Sequence, residues 1–281
     1  MMKIYQVDAF VSDQYRGNTA GVCLLKSPLQ EGQMQAIAAE MGFAETAYLV
    51  PEEGDKRWNI RWFTPTVEVD LCGHATLTAG WVLAEIAGEE GALTFSSRSG
   101  DLTVTVDGDY LTLDFPAQSV ESAELPDEIL KALDLEGEVK GYRAQVKAGN
   151  WIAEVATEGE VLAIEPDMDL LRKVVEGGLI VTAPGEHCDF VSRFFAPNYG
   201  VDEDDVTGSA HCSLAPFWAE KLGKKELLAH QLSERGGEIH CTVQGERVLL
   251  KGQAKLRTVR QLSGSFFTNE FVDEGGRTSD V

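Results

Sequence analysis

The sequence predicts an α+β protein built as two pseudo-symmetric domains, each a sheet wrapped about one buried helix. Three observations carry that prediction: an internal repeat, two helical segments that are apolar on every face, and two alternating hairpins at matching places. The repeat comes first because it governs how every other segment is read. Arg61-Trp62-Phe63-Thr64-Pro65 and Val69-Asp70 match Arg193-Phe194-Phe195-Ala196-Pro197 and Val201-Asp202 at an offset of 132 residues, and Gly17-Asn18 recurs as Gly149-Asn150 at the same offset. Downstream the offset is 137. His74, Leu77 and Trp81 answer to His211, Leu214 and Trp218, and Arg98, Gly100, Leu102 and Leu113 answer to Arg235, Gly237, Ile239 and Leu250. Four collinear blocks with one five-residue insertion, placed between Asp202 and His211, indicate a duplication. Residues 1–117 form one unit, residues 118–270 the other, and 271–281 a loose polar tail.

The elements follow in chain order. Ser27 reads as a helix cap, Pro28 fits the first turn and Gln30 completes a capping box. Met34, Ile37, Ala38 and Met41 then form the helix stripe, and Gly42 ends it. Residues from about 74 to 87 are apolar or small all round until Glu85, with Gly88 as the stop. A helix apolar on every face is buried on every face, and strands lie on both sides of it in sequence. Leu102, Val104 and Val106, then Leu111, Leu113 and Phe115, alternate about Asp107-Gly108 as a hairpin. Residues 116–126 have no period and two prolines, which suits an interdomain connection. The second buried helix spans about 209 to 222, with an expected kink at Pro216. GGEIHCTVQGERVLLKG is the second hairpin.

The chain has 281 residues, with 46 Asp+Glu against 24 Lys+Arg and a net charge of −22. That field repels nucleic acid and anionic membranes, while a few local donors still suffice to hold an anionic small molecule. The N-terminal MMKIYQVDAF lacks the apolar stretch of a signal peptide, and no 18-residue apolar run exists for a membrane span. Five scattered cysteines without a CxxC pair imply neither a disulfide framework nor a zinc site. Reduced cysteines in a cytoplasmic protein are expected.

Both buried helices begin at small-residue turns, Cys72-Gly73-His74-Ala75 and Thr207-Gly208-Ser209-Ala210. Helix N-termini carry partial positive charge and free N–H groups, so two such ends related by a pseudo-twofold axis can grip a carboxylate. A single glycine-rich turn more often just starts a helix; duplication at equivalent places favours the anion site. Three side chains stand near these turns: His74, Asp204 in the inserted segment, and Glu45. As one of 46 acids Glu45 would by number be a solvated charge. Its neighbours in Gly42-Phe43-Ala44-Glu45-Thr46-Ala47-Tyr48 are apolar, and burial there is expected to raise its pKa toward the range useful for proton transfer.

The strings GFAETAYLV, FTPTVEVDLCGHATLTAGW, RFFAPNYGVDEDDVTGSAHCSLAPFWAEKLGK and LSERGGEIHCTVQGERVLLKG resemble the phenazine-biosynthesis PhzF-like family, across residues from about 5 to 262. The resemblance implies a diaminopimelate epimerase-like fold: two barrel-like, mostly antiparallel sheets, each around a central helix, with the site in the cleft between them. It further implies a homodimer that shifts a proton on a small unsaturated or cyclic carboxylic acid, without cofactor or metal. Glu45 falls at the family's acid–base glutamate, His74 at its histidine and Asp204 at its aspartate. Gly73, His74, Gly208, Ser209 and Asn18 are placed as substrate contacts. Two positions depart from the family pattern: Thr19 stands where proline is usual in the Gly17-Asn18-Thr19-Ala20 segment, and Asp205 where many relatives have proline.

Two other readings remain open. In one, Cys72 serves a thiol-based epimerase or racemase, since it matches the place of a catalytic cysteine in diaminopimelate epimerase. The partner thiol is absent from the TGSA segment, and Cys212 comes three residues after Ser209. In the other, the chain keeps the fold as a binding protein without catalysis.

Overall fold

The computed structural model describes residues 2–135, 139–145 and 149–262. The first half contains β1 (Met2–Val11), β2 (Asn18–Leu24), α1 (Glu31–Met41), β3 (Glu45–Pro51), β4 (Arg57–Phe63), β5 (Glu68–Val69), α2 (Gly73–Ala87), β6 (Gly91–Ser97), β7 (Gly100–Asp107) and β8 (Tyr110–Pro116). The second contains β9 (Val120–Ser122), α3 (Asp127–Ala132), β10 (Lys140–Ala144), β11 (Trp151–Glu154), α4 (Glu158–Ala163), α5 (Met168–Val174), β12 (Leu179–Pro184), β13 (Phe190–Ala196), β14 (Val201–Asp204), α6 (Gly208–Leu222), β15 (Glu226–Gln231), β16 (Gly237–Gln244) and β17 (Arg247–Leu262).

Strand pairing closes an eight-stranded barrel in the first half, in the order β1, β2, β3, β4, β6, β7, β8, β17 and back to β1. Only the β2–β3 and β4–β6 contacts are parallel. α2 fills this barrel, as its all-round apolar surface requires. Leu77, Val82 and Leu83 are fully buried among Val104, Leu111 and Leu113, each contributing about 1.5–3 kcal/mol by leaving water. The second half repeats the order through β10, β11, β12, β13, β15, β16 and β17, with α6 against the inner face. Outer faces are covered separately: α1 sets Met34, Ile37, Ala38 and Met41 against Ile4, Tyr48 and Phe63, while α3, α4 and α5 cover β11 to β13.

The halves exchange their last strands. β8 ends its own hairpin and leads into β9, which pairs with β10 of the second half. β17 likewise leaves its hairpin with β16, and residues 253–262 pair with β1 of the first half. A boundary at 117/118 therefore separates β8 from β9, and the interdomain stretch 116–126 contains a strand. In the β8–β17 ladder Leu113 pairs with Leu250, its own repeat-mate. Equivalent residues facing each other mark the pseudo-twofold axis.

Several local expectations need correction. α1 starts at Glu31, with Gln30 as the cap, and the Gln33 side-chain oxygen accepts from Gln30 N at 3.1 Å. Ser27 and Pro28 lie before the helix because this pair already closes its first turn. Pro216 does not interrupt α6. The carbonyl its missing N–H would have paired, that of Cys212, accepts from Gln118 N at 3.0 Å, so the connection after β8 supplies the absent donor. The insertion is also split. Phe63 pairs with Glu68, whereas Phe195 pairs with Glu203, so three of the extra residues fall in the 3-10 turn Pro197–Tyr199 and its flanks. In both halves the arginine two residues before that phenylalanine grips the facing glutamate, Arg61 Nε to Glu68 at 2.7 Å and Arg193 Nε to Glu203 at 2.8 Å. The two hairpins match expectation, with loops beginning at Gly108 and Gly245. The tail at 271–281 lies outside the described residues.

Candidate active site

Both inner helices begin at one place. Each starts with glycine after an extended N-cap, Cys72 (φ −146°, ψ 111°) for α2 and Thr207 (φ −111°, ψ 96°) for α6, and neither makes a side-chain capping hydrogen bond. A methyl group built on Gly73 would lie 3.7 Å from the Cα of Gly208, and one on Gly208 would lie 3.8 Å from the Cα of Gly73. The two N-termini thus meet end to end across the axis, each with first-turn N–H groups that have no partner within the helix. No acid sits in either first turn. Both helix ends therefore turn partial positive charge toward the same space.

Glu45 and Asn18 open the inner rows of neighbouring strands. Ala20 pairs with Glu45 across the parallel β2–β3 ladder. Since Ala20, Val22, Ala47 and Leu49 all belong to the barrel core, the alternation of side chains turns Asn18 and Glu45 to the same inner face, at its mouth. Gly17 aims Asn18 there. Its φ is +68°, and a Cβ would stand 2.1 Å from the carbonyl oxygen of Ala9, which only glycine avoids.

His74, second residue of α2, faces Glu45 with Nε2 3.1 Å from Oε2, both side chains largely buried. The contact is a charge contact without aligned hydrogen-bond geometry, for Glu45 Oε2 is buried and has no aligned donor. Cys72 Sγ lies 3.6 Å from His74 Nδ1. Burial alone pushes the His74 imidazolium pKa down, but the groups beside it, Cys72 and Glu45, hold it well above the ordinary value. Burial also pushes the Cys72 thiol up to about 11, so at neutral pH Cys72 is uncharged.

Asn18 bridges the halves. Its Nδ2 donates to Asp204 Oδ1 at 2.7 Å and to Val206 O at 3.1 Å, and lies 3.4 Å from His74 Nδ1. Its amide protons are therefore spent inside the protein. Asp204 also accepts from Thr207 Oγ1 at 2.6 Å. Burial raises the Asp204 carboxyl to about 6, against the pull of His74 and the hydrogen bonds from Thr207 and Asn18. Glu45, His74, Asn18 and Asp204 form one connected line from the first half to the second.

The comparisons with known proteins agree on one family. The model of the PhzC/PhzF phenazine biosynthesis-like proteins matches residues 7–259. The chain belongs to the phenazine biosynthesis-like PhzC/PhzF family. An uncharacterized isomerase of Pseudomonas aeruginosa is 46% identical over 257 residues, 91% of this chain and 96% of that protein. The crystal structure of a PhzF-family protein from Enterococcus faecalis superposes with a TM-score of 0.86 at 39% identity, covering 92% of this chain and 97% of the other. A predicted epimerase from Pseudomonas aeruginosa shares the fold alone, with a TM-score of 0.73 at 20% identity over 94% of this chain and all of the other.

Within this family member the match of His74 to His211 needs correction. The helix starts, Gly73 and Gly208, and the glycine C-caps, Gly88 and Gly223, are both 135 residues apart. The structural mate of His74 is therefore the exposed Ser209. His211 lies two residues further into the helix, fully buried, with Nδ1 2.9 Å from Thr207 O, and burial drives its pKa down to about 4. Two residues that hold Asp204 were not singled out as site residues from the sequence. Thr207 was read there only as part of a helix-starting turn. Gln231, fully buried at the end of β15, donates to Asp204 O at 2.7 Å and accepts from Thr207 N at 2.8 Å. No sequence signal marks Gln231, because its partners lie 24 and 27 residues away.

Proposed function

We propose that the chain is an isomerase that moves a proton between two carbons of a small unsaturated or cyclic carboxylic acid, bound between the two halves. The observation that carries this reading is the buried Glu45 Oε2, 3.1 Å from His74 Nε2, beside two helix N-termini that meet. The isomerase name of the Pseudomonas aeruginosa relative supports the reaction class.

In this reading the substrate carboxylate lies on the first-turn N–H groups of α2 and α6, and Glu45 takes a proton from a carbon conjugated to it. Charge that spreads into the carboxylate as the proton leaves is stabilised by donors already in place. Glu45 then returns the proton at the second carbon. The His74 imidazolium orients Glu45 and balances its charge, while Asp204, with a pKa near 6, is suited to exchanging a proton near neutral pH. The reaction needs no added group, and the protein acts as a homodimer.

The thiol-based alternative is less well supported. Burial pushes Cys72 to about 11 and Cys212 to about 12, and Cys212 Sγ donates to Gly208 O within α6. Neither is a thiolate at neutral pH, and a two-base inversion needs one of them to be. The test is incubation with pooled small carboxylic acids in D2O, reading site-specific deuteration by mass spectrometry and NMR. Uptake at a carbon conjugated to a carboxylate is expected. A protein that binds such acids yet exchanges nothing is a binding module, and the proposal falls.

A further inference from the structure

The proton shift leaves one well-placed group unused, the thiol of Cys72. Ligand atoms of Glu45, Cys72 and His74 all lie within 4.8 Å of one another. The thiol sulfur is 3.6 Å from Nδ1 and 4.0 Å from Nε2 of His74, and that Nε2 is 3.1 Å from Glu45 Oε2. A tetrahedral zinc ion with bonds of about 2.3 Å to sulfur and about 2.1 Å to nitrogen and oxygen sets sulfur about 3.6 Å from nitrogen, and nitrogen about 3.4 Å from oxygen. Taken at Nε2, the nitrogen that faces Glu45, the sulfur and oxygen distances of 4.0 and 3.1 Å lie within about 0.4 Å of that arrangement. Cys72 and His74 are 7% and 5% exposed, and Glu45 Oε2 is buried with no aligned donor, an acceptor aimed into the cluster and left unmatched by the protein.

We propose that Glu45, Cys72 and His74 form an inhibitory site for a soft divalent cation of the zinc class. As the metal binds, the Cys72 thiol and the His74 imidazolium each release one proton to solvent; the thiolate sulfur, the freed ring nitrogen and one Glu45 oxygen then take three positions on the ion. Three protein ligands leave a fourth position for water. The donor set of one thiolate, one imidazole and one carboxylate suits zinc or cobalt and is poor for magnesium or calcium, which take oxygen ligands. The cation occupies the Glu45 oxygen and the His74 nitrogen that the proposed reaction uses, so metal binding and proton transfer exclude each other. Only this inhibition rests on the proposed function; the site itself does not.

Cobalt(II) is the probe, added to the full chain without substrate and with excess magnesium present to mask the acidic surface. One equivalent is expected to produce a near-ultraviolet thiolate-to-cobalt charge-transfer band and the intense visible bands of tetrahedral cobalt, both removed by one equivalent of zinc. The charge-transfer band is expected to vanish in Cys72→Ala, and affinity to fall at least about tenfold in Glu45→Gln, with melting temperatures confirming that both variants fold. Should Cys72→Ala fail to fold, Glu45→Gln and the sulfur band of the unaltered protein still decide the matter. Absence of binding, binding without the sulfur band, or equal affinity in Glu45→Gln overturns the site. In the second arm stoichiometric zinc is expected to abolish deuterium exchange, and a chelator to restore it. Cobalt spectra as described in a protein without exchange activity leave the metal site standing and overturn the proposed reaction instead.

Discussion

Replacing Asp204 by asparagine separates what its charge does for chemistry from what that charge does to stability. The carboxyl titrates near 3.8 in the unfolded chain and at about 6 in the fold. Between those values the folded protein keeps a proton that the unfolded chain has lost. Stability therefore falls as pH rises through this window, and above it the native protein carries the full cost of the buried charge. A rise of that size corresponds to at most about 3 kcal/mol, an upper bound because the residue is only half-buried. Asparagine keeps an oxygen for Asn18 Nδ2 and sets an amide before Thr207 Oγ1, which then accepts, so the hydrogen-bond partners survive. Asp204→Asn should thus melt several degrees above wild type at pH 7.5 while losing exchange activity, and the gap in melting temperature should close below pH 4. Thermal unfolding at four or five pH values makes the comparison. A variant less stable than wild type at every pH would show that Asp204 is a favourably paired anion, and the assigned cost of its burial would be wrong.

Three further outcomes are expected. Gly208→Ala adds a methyl group at ordinary contact distance from Leu250 and Gly73, so the melting temperature should hold while affinity for carboxylate ligands, read by calorimetry, drops about tenfold or more as the space between the helix ends fills. Gly17→Ala forces a Cβ toward the Ala9 carbonyl at positive φ and should cost about 2–3 kcal/mol in denaturant unfolding while displacing Asn18. Cys72→Ala should lower deuterium exchange by less than about tenfold; abolition of exchange would favour thiol chemistry.

The fold was legible where its causes are local. The hairpins at Asp107-Gly108 and Gln244-Gly245 announce themselves by alternation and turn residues, and α2 by an apolar surface that only a barrel interior accepts. The exchange of last strands was not legible, because nothing in residues 253–262 names β1 as their partner. Pro216 looked like a break only while Gln118 N, nearly a hundred residues away, was not known to supply the missing donor. The match of His74 to His211 shows how like letters mislead when an insertion is split: helix caps locate the true mate at Ser209. Among the candidate site residues, Glu45 was conspicuous as an acid at an apolar strand start. Gln231 is a polar residue on a strand, and its value lies wholly in the turn it pins.

The central claim is that Glu45 carries the proton, and Glu45→Gln tests it most directly. Glutamine keeps the shape and the contact with His74 but cannot accept a proton from carbon. With any acid that the wild type deuterates in D2O, the variant should bind with similar affinity, melt at or slightly above the wild-type temperature, and exchange at least ~10²-fold more slowly. Exchange at the wild-type rate in a folded Glu45→Gln protein would contradict the account, since the proton would then be moved by another group.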